Sequence, residues 1–386
     1  MVMGGDNFTE VTGNSCCGNV VGSCIGALIG IVMLIVSFPL LWWNESRAVE
    51  RERALGEAQG IVVSAQADSV NSANEDKLVY LTGAADTKNA VLDKTFNVSR
   101  KALRLKRTVE MYQWEETKES ETQKDFGGGS HTVTTYHYQK KWSDQLIDSS
   151  SFHHAEGHSN PESKPFETKE FTANKVTLNA FTLPPFLLEK MTWYSEFPVS
   201  DEMLAHVPSG TKDLQVVDGK FYRGNDADAP KVGDVRVGFA SIPPGPISLV
   251  AKQTGSSFAA YHTAHGEVAL LQSGVVAVAD MFQKARDENT VLTWVLRGVG
   301  WFLMLLGILL AFNPAAAVAN VIPLLGDLIG FAAFIAALFI SIALAFFTIA
   351  LAWVTVRPLL GIPMLLAGVG LLVLGLRMRG RRRQYP

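Results

Sequence analysis

The sequence has 386 residues, of which 48% are hydrophobic, and its formal net charge is −3. Its mean hydropathy of +0.15 is high for a water-soluble protein and low for a transporter built mostly of membrane spans, so the chain fits neither of those simple classes. Acidic residues outnumber basic ones by 37 to 34, so nucleic acid is not an expected partner.

Four long apolar stretches are spread unevenly along the chain. About 20 apolar residues cross a bilayer as a helix, so each stretch is predicted to be a transmembrane helix. The stretches are residues 20–43, 294–312, 328–356 and 358–376. They predict a polytopic α-helical membrane protein of four spans, with a large domain inserted between the first and second helices.

The polar segments between the stretches have predicted sides of the membrane. They are residues 1–19, 44–293, 313–327 and 377–386. The last of them carries a cluster of five arginines, which favours a cytoplasmic tail and provides candidate contacts to lipid headgroups: Arg377, Arg379, Arg381, Arg382 and Arg383. With four spans, residues 1–19 are then also cytoplasmic and the 44–293 domain is extracytoplasmic. The 313–327 connector is cytoplasmic or lies in the membrane interface.

Small residues recur every fourth position in two of the predicted spans. Such stripes let helix backbones approach closely and associate in lipid. In the first span they are Gly18, Gly22, Gly26 and Gly30, and in the third they are Ala333, Ala337, Ser341 and Ala345. The stripes predict helix association, either between subunits or within one chain, where the third span provides the partner of the first.

The 44–293 insert shows the alternating pattern of half-buried strands. Leu103–Met111 and His131–Trp142 predict a long hairpin with a glycine-rich tip, and Asp218–Gly219 predicts a tight two-residue turn. Helical patterns occur at Glu45–Ala58 and Val276–Asn289. The insert therefore predicts a strand-rich α+β domain. It has no cysteine and cannot contain a disulfide.

Candidate chemistry in the insert is weak. His154 and His158 have a spacing of four, but the glycine and proline near them favour a solvated loop over a metal site. A basic patch, in which Arg104 and Lys106 share one face, predicts a solvated sheet face or a surface for an anionic partner; its residues are Arg100, Lys101, Arg104, Lys106 and Arg107. No catalytic residue, metal ligand or cofactor is predicted.

Several motifs resemble those of the transmembrane protein 43 family, in matching order from about residue 30 to 375. One motif follows the first span, the most specific one lies in the predicted long hairpin, and others occur later in the insert and before the last span. Their residues are Asn44, Glu45, Arg47, Glu110, Met111, Tyr112, Gln113, Trp114, Gly157, His158, Asn160, Pro161, Gly233, Asp234, Arg236, Arg357 and Pro358.

The resemblance implies four spans with a large lumenal or periplasmic domain and no known enzyme activity. It also implies residence in the endoplasmic reticulum and inner nuclear membrane in a eukaryote, or in the inner membrane of a bacterium. The leading hypothesis is a non-enzymatic scaffold that organises a membrane, forms homo-oligomers and binds other membrane proteins and the lipid bilayer. One alternative is a channel or channel-regulating subunit, motivated by the uncharged stretch Asn313–Gly326 and the Ala- and Ser-rich third span. The other is a membrane-bound hydrolase that uses His158 and a nearby carboxylate.

Overall fold

The strands and helices alternate irregularly along the chain. The computed structural model describes residues 6–125, 129–209, 213–319, 323–363 and 366. The strands are β1 Asp6–Asn14, β2 Val63–Ser64, β3 Leu78–Asp86, β4 Val91–Asp93, β5 Val98–Arg100, β6 Arg104–Lys124, β7 Ser130–Ser143, β8 Lys169–Thr172, β9 Thr177–Leu178, β10 Phe181–Thr182, β11 Ser195–Phe197, β12 Gln215–Val217, β13 Lys220–Arg223, β14 Val235–Ile242, β15 Gly245–Thr254, β16 Ser257–Ala259, β17 Tyr261–Thr263, β18 Gly266–Val268 and β19 Leu270–Ser273. The helices are α1 Cys16–Ile61, α2 Pro185–Glu189, α3 Asp201–Ala205, α4 Val278–Ala319 and α5 Pro323–Val356.

Two compact units divide the chain. The first, the strand-rich unit, takes in residues up to Glu10 together with 55–119 and 134–284. The second, the helical unit, takes in 11–54, 120–133 and the chain from 285 onward. The insert predicted from the sequence therefore contributes to both units, because its two ends continue the long helices α1 and α4.

The strand-rich unit is built on two mainly antiparallel sheets. The larger sheet has the order β1-β7-β6-β14-β13-β12, and the other has the order β10-β9-β3-β15-β16. Alternate residues of β14 are buried, as the period-two pattern requires: Val235, Val237 and Phe239. One core cluster joins them to residues of the second sheet such as Leu81 and Leu249. The strand-rich part of the predicted fold is thus confirmed.

The two-residue turn predicted at Asp218–Gly219 connects β12 to β13. Both residues have positive φ, 50° and 71°, which is the backbone of the turn that favours Asp-Gly in hairpins. A Cβ atom on Gly219 would lie 2.8 Å from the Cβ atom of Pro198, so space as well as backbone conformation favours glycine here. The turn sets the register Val217↔Lys220.

The N-terminal residues before the first apolar stretch form a strand. β1 lies at the edge of the larger sheet and pairs with β7, and Asn7 Oδ1 lies 2.8 Å from His137 Nδ1. Strands that share backbone hydrogen bonds must lie on one face of a bilayer, because the hydrocarbon layer cannot separate them. The cytoplasmic assignment of residues 1–19 and the extracytoplasmic assignment of 44–293 stay predictions, and this pairing offers a direct test of them.

Three described helices are long and apolar enough to cross a membrane: Val21–Ile61, Val278–Ala315 and Leu328–Val356. In each helix, only 17% to 28% of the most apolar 18-residue stretch is buried inside the protein. Most of the surface of these stretches therefore needs an apolar environment outside the chain. The fourth predicted span, 358–376, lies mostly outside the described residues. By length and composition, three of the described helices could therefore span a membrane, and the count of four is not confirmed.

The three long helices share apolar contacts inside the helical unit. Leu41, Met304 and Ala345, one from each helix, form one buried cluster. A second cluster joins Leu305 and Ile308 to Ala337. Within the connector predicted at 313–327, residues 313–319 continue α4 and 323–327 begin α5, so its described residues are helical.

Candidate functional site: two clusters of motif residues

Most of the sequence motifs converge in two places. The first is the interhelical polar site, which we define as the side chains of Asn44, Glu45, Arg47, Asn289, Thr293, Arg297 and Trp353. The second is the domain motif cluster, which we define as residues 110–114, 157–161 and 233–236. The interhelical polar site lies in the helical unit and the domain motif cluster in the strand-rich unit.

At the centre of the interhelical polar site, a carboxylate of α1 binds both other long helices. Glu45 accepts hydrogen bonds from Arg297 Nε at 2.7 Å and Nη2 at 2.8 Å, in the two-pronged geometry that arginine favours. Trp353 Nε1 on α5 donates to Glu45 Oε2 at 2.6 Å. The side chain of Glu45 is only 2% exposed, so these three donors replace the water that it has lost.

A second set of hydrogen bonds connects α1 to α4. Asn44 Nδ2 donates to the carbonyl oxygen of Thr293 at 3.0 Å. Arg47 donates from Nη1 to Asn289 Oδ1 at 2.9 Å and from Nη2 to Thr293 Oγ1 at 3.0 Å. Asn289 Nδ2 in turn donates to the carbonyl oxygen of Ala48 at 3.0 Å. Each helix thus provides both donors and acceptors to the other.

In the domain motif cluster, an ion pair connects two central strands. Arg236 on β14 donates from Nε to Glu110 Oε2 at 2.7 Å and from Nη2 to Oε1 at 3.0 Å, and β6 carries Glu110 directly opposite in register. Lys220 Nζ lies 3.4 Å from the same carboxylate. Burial alone would raise the pKa of Glu110, but hydrogen bonds and charge from Arg236 and Lys220 outweigh burial and hold the pKa below its usual value.

The start of β14 is tied to β6 through backbone groups. The Tyr112 N–H donates to the Asp234 carbonyl at 2.8 Å, and the Gly233 N–H donates to the Tyr112 carbonyl at 2.9 Å. Gly233 has φ +96°, which disfavours other residues. Tyr222 Oη donates to Asp234 Oδ2 at 2.6 Å, and burial followed by this bond raises the pKa of Tyr222.

An asparagine side chain connects the third motif to β6. Asn160 Oδ1 accepts from the Trp114 N–H at 2.7 Å, and Asn160 Nδ2 donates to the Trp114 carbonyl at 2.9 Å, so the amide pairs with Trp114 as a neighbouring strand would. Nδ2 also donates to the Ile147 carbonyl at 3.2 Å. Gln113 holds the same loop, since its Oε1 accepts from the Ile147 N–H at 2.9 Å.

The remaining motif residues lie in several different places. Met111 is fully buried in the core, and Pro161 lies beside Gly233, where an added Cβ atom would be 3.4 Å from the proline ring. Gly157 has φ +83°, a backbone conformation that glycine adopts readily. Arg357 and Pro358 directly follow the end of α5.

The histidines of the predicted loop have different surroundings from those expected. The loop between residues 152 and 157 is confirmed, but His158 is not solvated: it is 3% exposed and stacks 4.0 Å from the ring of Tyr138. Its Nδ1 lies 2.9 Å from the carbonyl oxygen of His154. Burial, and then a hydrogen bond to Glu116, raise the pKa of Tyr138 to about 12. The spacing of four between His154 and His158 thus corresponds to a hydrogen bond between the His158 ring and the backbone of His154.

The predicted basic patch is solvated only in part, since the side chains of Lys101 and Lys106 are 59% and 38% exposed. Arg107 is buried and pairs with Asp93, with Nη1 2.7 Å from Oδ2. Arg104 is buried too, and donates to the carbonyl oxygen of Met191 at 2.8 Å. These two arginines are not solvated, since carboxylates and carbonyl groups that are distant in sequence surround them.

The small residues predicted to associate helices divide into two sets. A Cβ atom on Gly30 would lie 2.7 Å from the carbonyl oxygen of Gly307, so this glycine lets α1 touch α4. Gly26 faces Leu310 more loosely, whereas an added Cβ atom on Gly22 would meet no described atom within 4 Å. Ser341 on α5 accepts a hydrogen bond from Trp301 Nε1 of α4 at 3.2 Å. The close partner of Gly30 is α4 rather than the predicted third span.

Several residues of the two clusters were not among the motif residues identified from the sequence. Asn289, Thr293 and Trp353 complete the interhelical polar site, and Tyr222 completes the domain motif cluster. The spacing of Asn289, Thr293 and Arg297 could have indicated them: they recur every fourth residue along α4 and so share one helix face.

In the part of the chain that the structure describes, no group of three or more His, Cys, Asp or Glu side chains is arranged to hold a metal ion. The candidate headgroup contacts Arg377, Arg379, Arg381, Arg382 and Arg383 lie outside the described residues.

Comparisons with known proteins agree with the motifs. A family model described as "Transmembrane protein 43" matches residues 111–358. The protein "Transmembrane protein 43" of Homo sapiens is 30% identical over 325 residues, which cover 80% of this chain and 79% of the relative. The "Transmembrane protein 43 homolog" of Drosophila melanogaster is 31% identical over 350 residues, covering 89% of this chain and 92% of the relative. No solved structure matches this chain.

Proposed function

Because the chain belongs to the transmembrane protein 43 family, we propose that it is a non-enzymatic organiser of a membrane that acts as a homo-oligomer and binds other membrane proteins. The observation that carries this proposal is that the polar motif side chains bind one another. The carboxylates of Glu45 and Glu110 are each occupied by an arginine, and the Asn160 amide by backbone groups. Motif residues used in this way position helices and strands and leave their reactive atoms occupied.

The helical unit offers an extensive apolar surface to lipid and to neighbouring proteins. On α1, Ile25, Leu28 and Val32 are each more than half exposed, and on α5 the same holds for Phe339 and Phe346. Side chains of this kind are stable only in hydrocarbon or against another apolar surface. The lipid bilayer is accordingly the first proposed partner, and a second copy of the chain the next.

The open part of the glycine stripe supports association between copies. Gly30 already contacts α4 of its own chain, but Gly22 faces open space among the described residues. A glycine that has no neighbour in one subunit gives close backbone access to a helix of another. In this proposal Gly22 contributes to the surface between subunits, while Gly30 contributes to the packing of each subunit.

Chemical crosslinking in native membranes, followed by electrophoresis, tests this division. Gly22→Leu should reduce the crosslinked oligomer while the subunit stays folded. Gly298→Leu is the matched control, since Gly298 is an equally open glycine on α4 and should tolerate the change. Gly30→Leu should instead lower the yield of folded protein. A wild-type chain that is strictly monomeric and captures no partner would remove the basis of the organiser role.

The proposed location is the endoplasmic reticulum and inner nuclear membrane in a eukaryotic host, or the inner membrane in a bacterium. The support is the family membership together with helices of membrane-spanning length. Fractionation of the host's membranes, with a tag on the C-terminus, tests it. Recovery of the chain with soluble proteins would contradict it.

A further inference from the structure

Beside the interhelical polar site there is a cleft lined by two carboxylates and two guanidinium groups. It has a volume of about 200 Å³, and its lining includes Glu45, Glu52, Trp294, Arg297 and Arg357. Arg297 neutralises Glu45, and Arg286 neutralises Glu52 with its Nε 3.0 Å from Oε1. Among the described residues that line the cleft, Arg357 is therefore the charged one that no carboxylate pairs with.

The side chain of a second arginine reaches the end of α5. Arg53 donates from Nη2 to the carbonyl oxygen of Val356 at 2.7 Å, which brings it to the residue next to Arg357. Among the residues that the structure describes, neither arginine has a carboxylate partner. An anion bound at the end of α5 would give these guanidinium groups a counter-charge.

An apolar groove lies farther along the same helices. It has a volume of about 240 Å³ and is lined by Phe38, Pro39 and Trp42 of α1 with Phe347, Thr348 and Leu351 of α5. Its lining presents no polar surface. The groove belongs to the stretch of α1 and α5 that is apolar enough to cross a membrane.

The groove and the cleft share one face of α1. Phe38, Trp42, Glu45, Val49 and Glu52 follow one another at spacings of four, three, four and three residues, which places them in one stripe of a helix. Phe38 and Glu45 are seven residues apart, or roughly 10 Å along the axis. A molecule with an anionic end and an apolar chain would contact both features at once.

We propose that this face of the helical unit binds one glycerophospholipid, with the phosphate in the cleft beside Arg357 and an acyl chain in the groove beside Phe347 and Leu351. The aromatic ring of Trp353 lies 5.9 Å from the guanidinium of Arg357, as in the aromatic belts at bilayer surfaces. Arginine is well suited to a phosphate oxygen pair, because its planar group donates two parallel hydrogen bonds.

Native mass spectrometry of the full-length protein tests the proposal. The protein is taken from bilayers of palmitoyl-oleoyl phosphatidylglycerol and phosphatidylcholine into mild detergent, and bound lipid is counted. Wild type should retain one phospholipid. Arg357→Gln should weaken retention by about tenfold or more, the effect of losing a charged hydrogen bond, and Arg357→Lys should restore part of it. Arg223→Gln, an exposed arginine of the strand-rich unit, is the charge control.

The acyl-chain half of the proposal has its own variants. Phe347→Ser should weaken retention of the lipid. Phe346→Ser changes the preceding, more exposed residue and should leave retention unchanged. Addition of 10 mM inorganic phosphate should not displace the lipid. Unchanged retention in both Arg357→Gln and Phe347→Ser would overturn the proposal. Displacement by inorganic phosphate, with equal retention in the two phenylalanine variants, would also overturn it by identifying a site for a free anion.

Discussion

The two motif clusters contain the same kind of ion pair in very different surroundings. Glu45–Arg297 and Glu110–Arg236 both have two charged hydrogen bonds of 2.7 to 3.0 Å. The side chains of the first pair are 2% and 19% exposed, and those of the second are 23% and 33% exposed. Water screens the second pair and hydrates either partner when the other is removed. The same chemistry is therefore expected to have a large effect between helices and a small one within the sheet.

Loss of one partner between the helices should have the largest effect. Arg297→Met leaves the Glu45 carboxylate buried with the Trp353 N–H as its remaining donor, and a broken buried pair costs about 3–5 kcal/mol. Hydrogen exchange of peptides covering residues 289–301 should report a local opening energy lower by that amount. Arg286→Met removes a half-exposed pair with Glu52 and should cost less than about 1 kcal/mol. Equal effects of the two variants would contradict the comparison.

The second-largest loss of stability is expected for Asn160, a neutral residue that is held by hydrogen bonds. Asn160→Ala leaves the Trp114 N–H and two carbonyl groups without their partner, so we expect a loss of about 2–3 kcal/mol. Ser159→Ala removes only an exposed hydroxyl bond to the Ala155 carbonyl and is the matched control. Hydrogen exchange of residues 111–116 measures the difference. Protection that is unaffected by Asn160→Ala would mean that the Trp114 contacts are replaced by water.

The exposed ion pair should have a smaller effect that depends on salt. Arg236→Met is expected to cost about 1 kcal/mol, and less at high ionic strength, because Lys220 still neutralises Glu110 and water reaches the carboxylate. Hydrogen exchange of residues 104–112 at two salt concentrations measures this cost and its dependence on ionic strength. A cost of several kcal/mol that does not change with salt would place this pair in the same class as Glu45–Arg297.

The pH dependence of the exposed pair follows from the lowered pKa of Glu110. Since the folded pKa lies below the ordinary value of 4.5, the pair contributes its full stability above pH 4.5. This contribution is lost as the pH falls through the folded pKa and the carboxylate takes up a proton. The difference between wild type and Arg236→Met should therefore shrink below pH 4.5. A difference that grows on acidification would contradict the assignment.

Pairing of β1 with β7 can be tested by a change with almost no expected effect on stability. Thr9 and Thr135 have Oγ1 atoms 3.5 Å apart, so Thr9→Cys/Thr135→Cys should form a disulfide when Cys16, Cys17 and Cys24 are replaced by serine. Thr9→Cys/Ser195→Cys is the control, since Ser195 lies on β11, which pairs with β14. Absence of the disulfide in intact membranes would support the predicted placement of residues 1–19 and the insert on opposite faces.

Local sequence patterns predicted the helices, strands and turns of this molecule, but they predicted the contacts between these elements less well. Alternation predicted the strands of the long hairpin, Asp218–Gly219 predicted the turn between β12 and β13, and helical periodicity predicted a helix at Glu45–Ala58, which α1 contains. Each of these depends on neighbours along the chain. The small residues of the first span predicted close packing, but the partner of Gly30 on α4 is 277 positions away and could not be identified from spacing.

The candidate sites were predictable as residues but not as arrangements. The motifs named Glu45, Glu110 and Asn160, yet the partners of these side chains come from segments with no sequence proximity. Arg104 and Arg107 show the same limit, because basic residues on a strand look solvated until the Asp93 carboxylate and the Met191 carbonyl group are placed around them. Burial of a charge depends on tertiary contacts, which a pattern within one strand does not contain.

The most direct test of the structural role assigned to the motif residues is a double-mutant cycle on Glu45 and Arg297. Glu45→Gln, Arg297→Met and the double variant are compared with wild type by hydrogen exchange across residues 289–301. The interaction predicts that the double variant is less destabilised than the sum of the single variants, by about 2 kcal/mol or more, because each single change leaves a polar partner buried and unpaired. Additive effects, or single variants with wild-type stability, would contradict the claim that this pair connects the membrane helices.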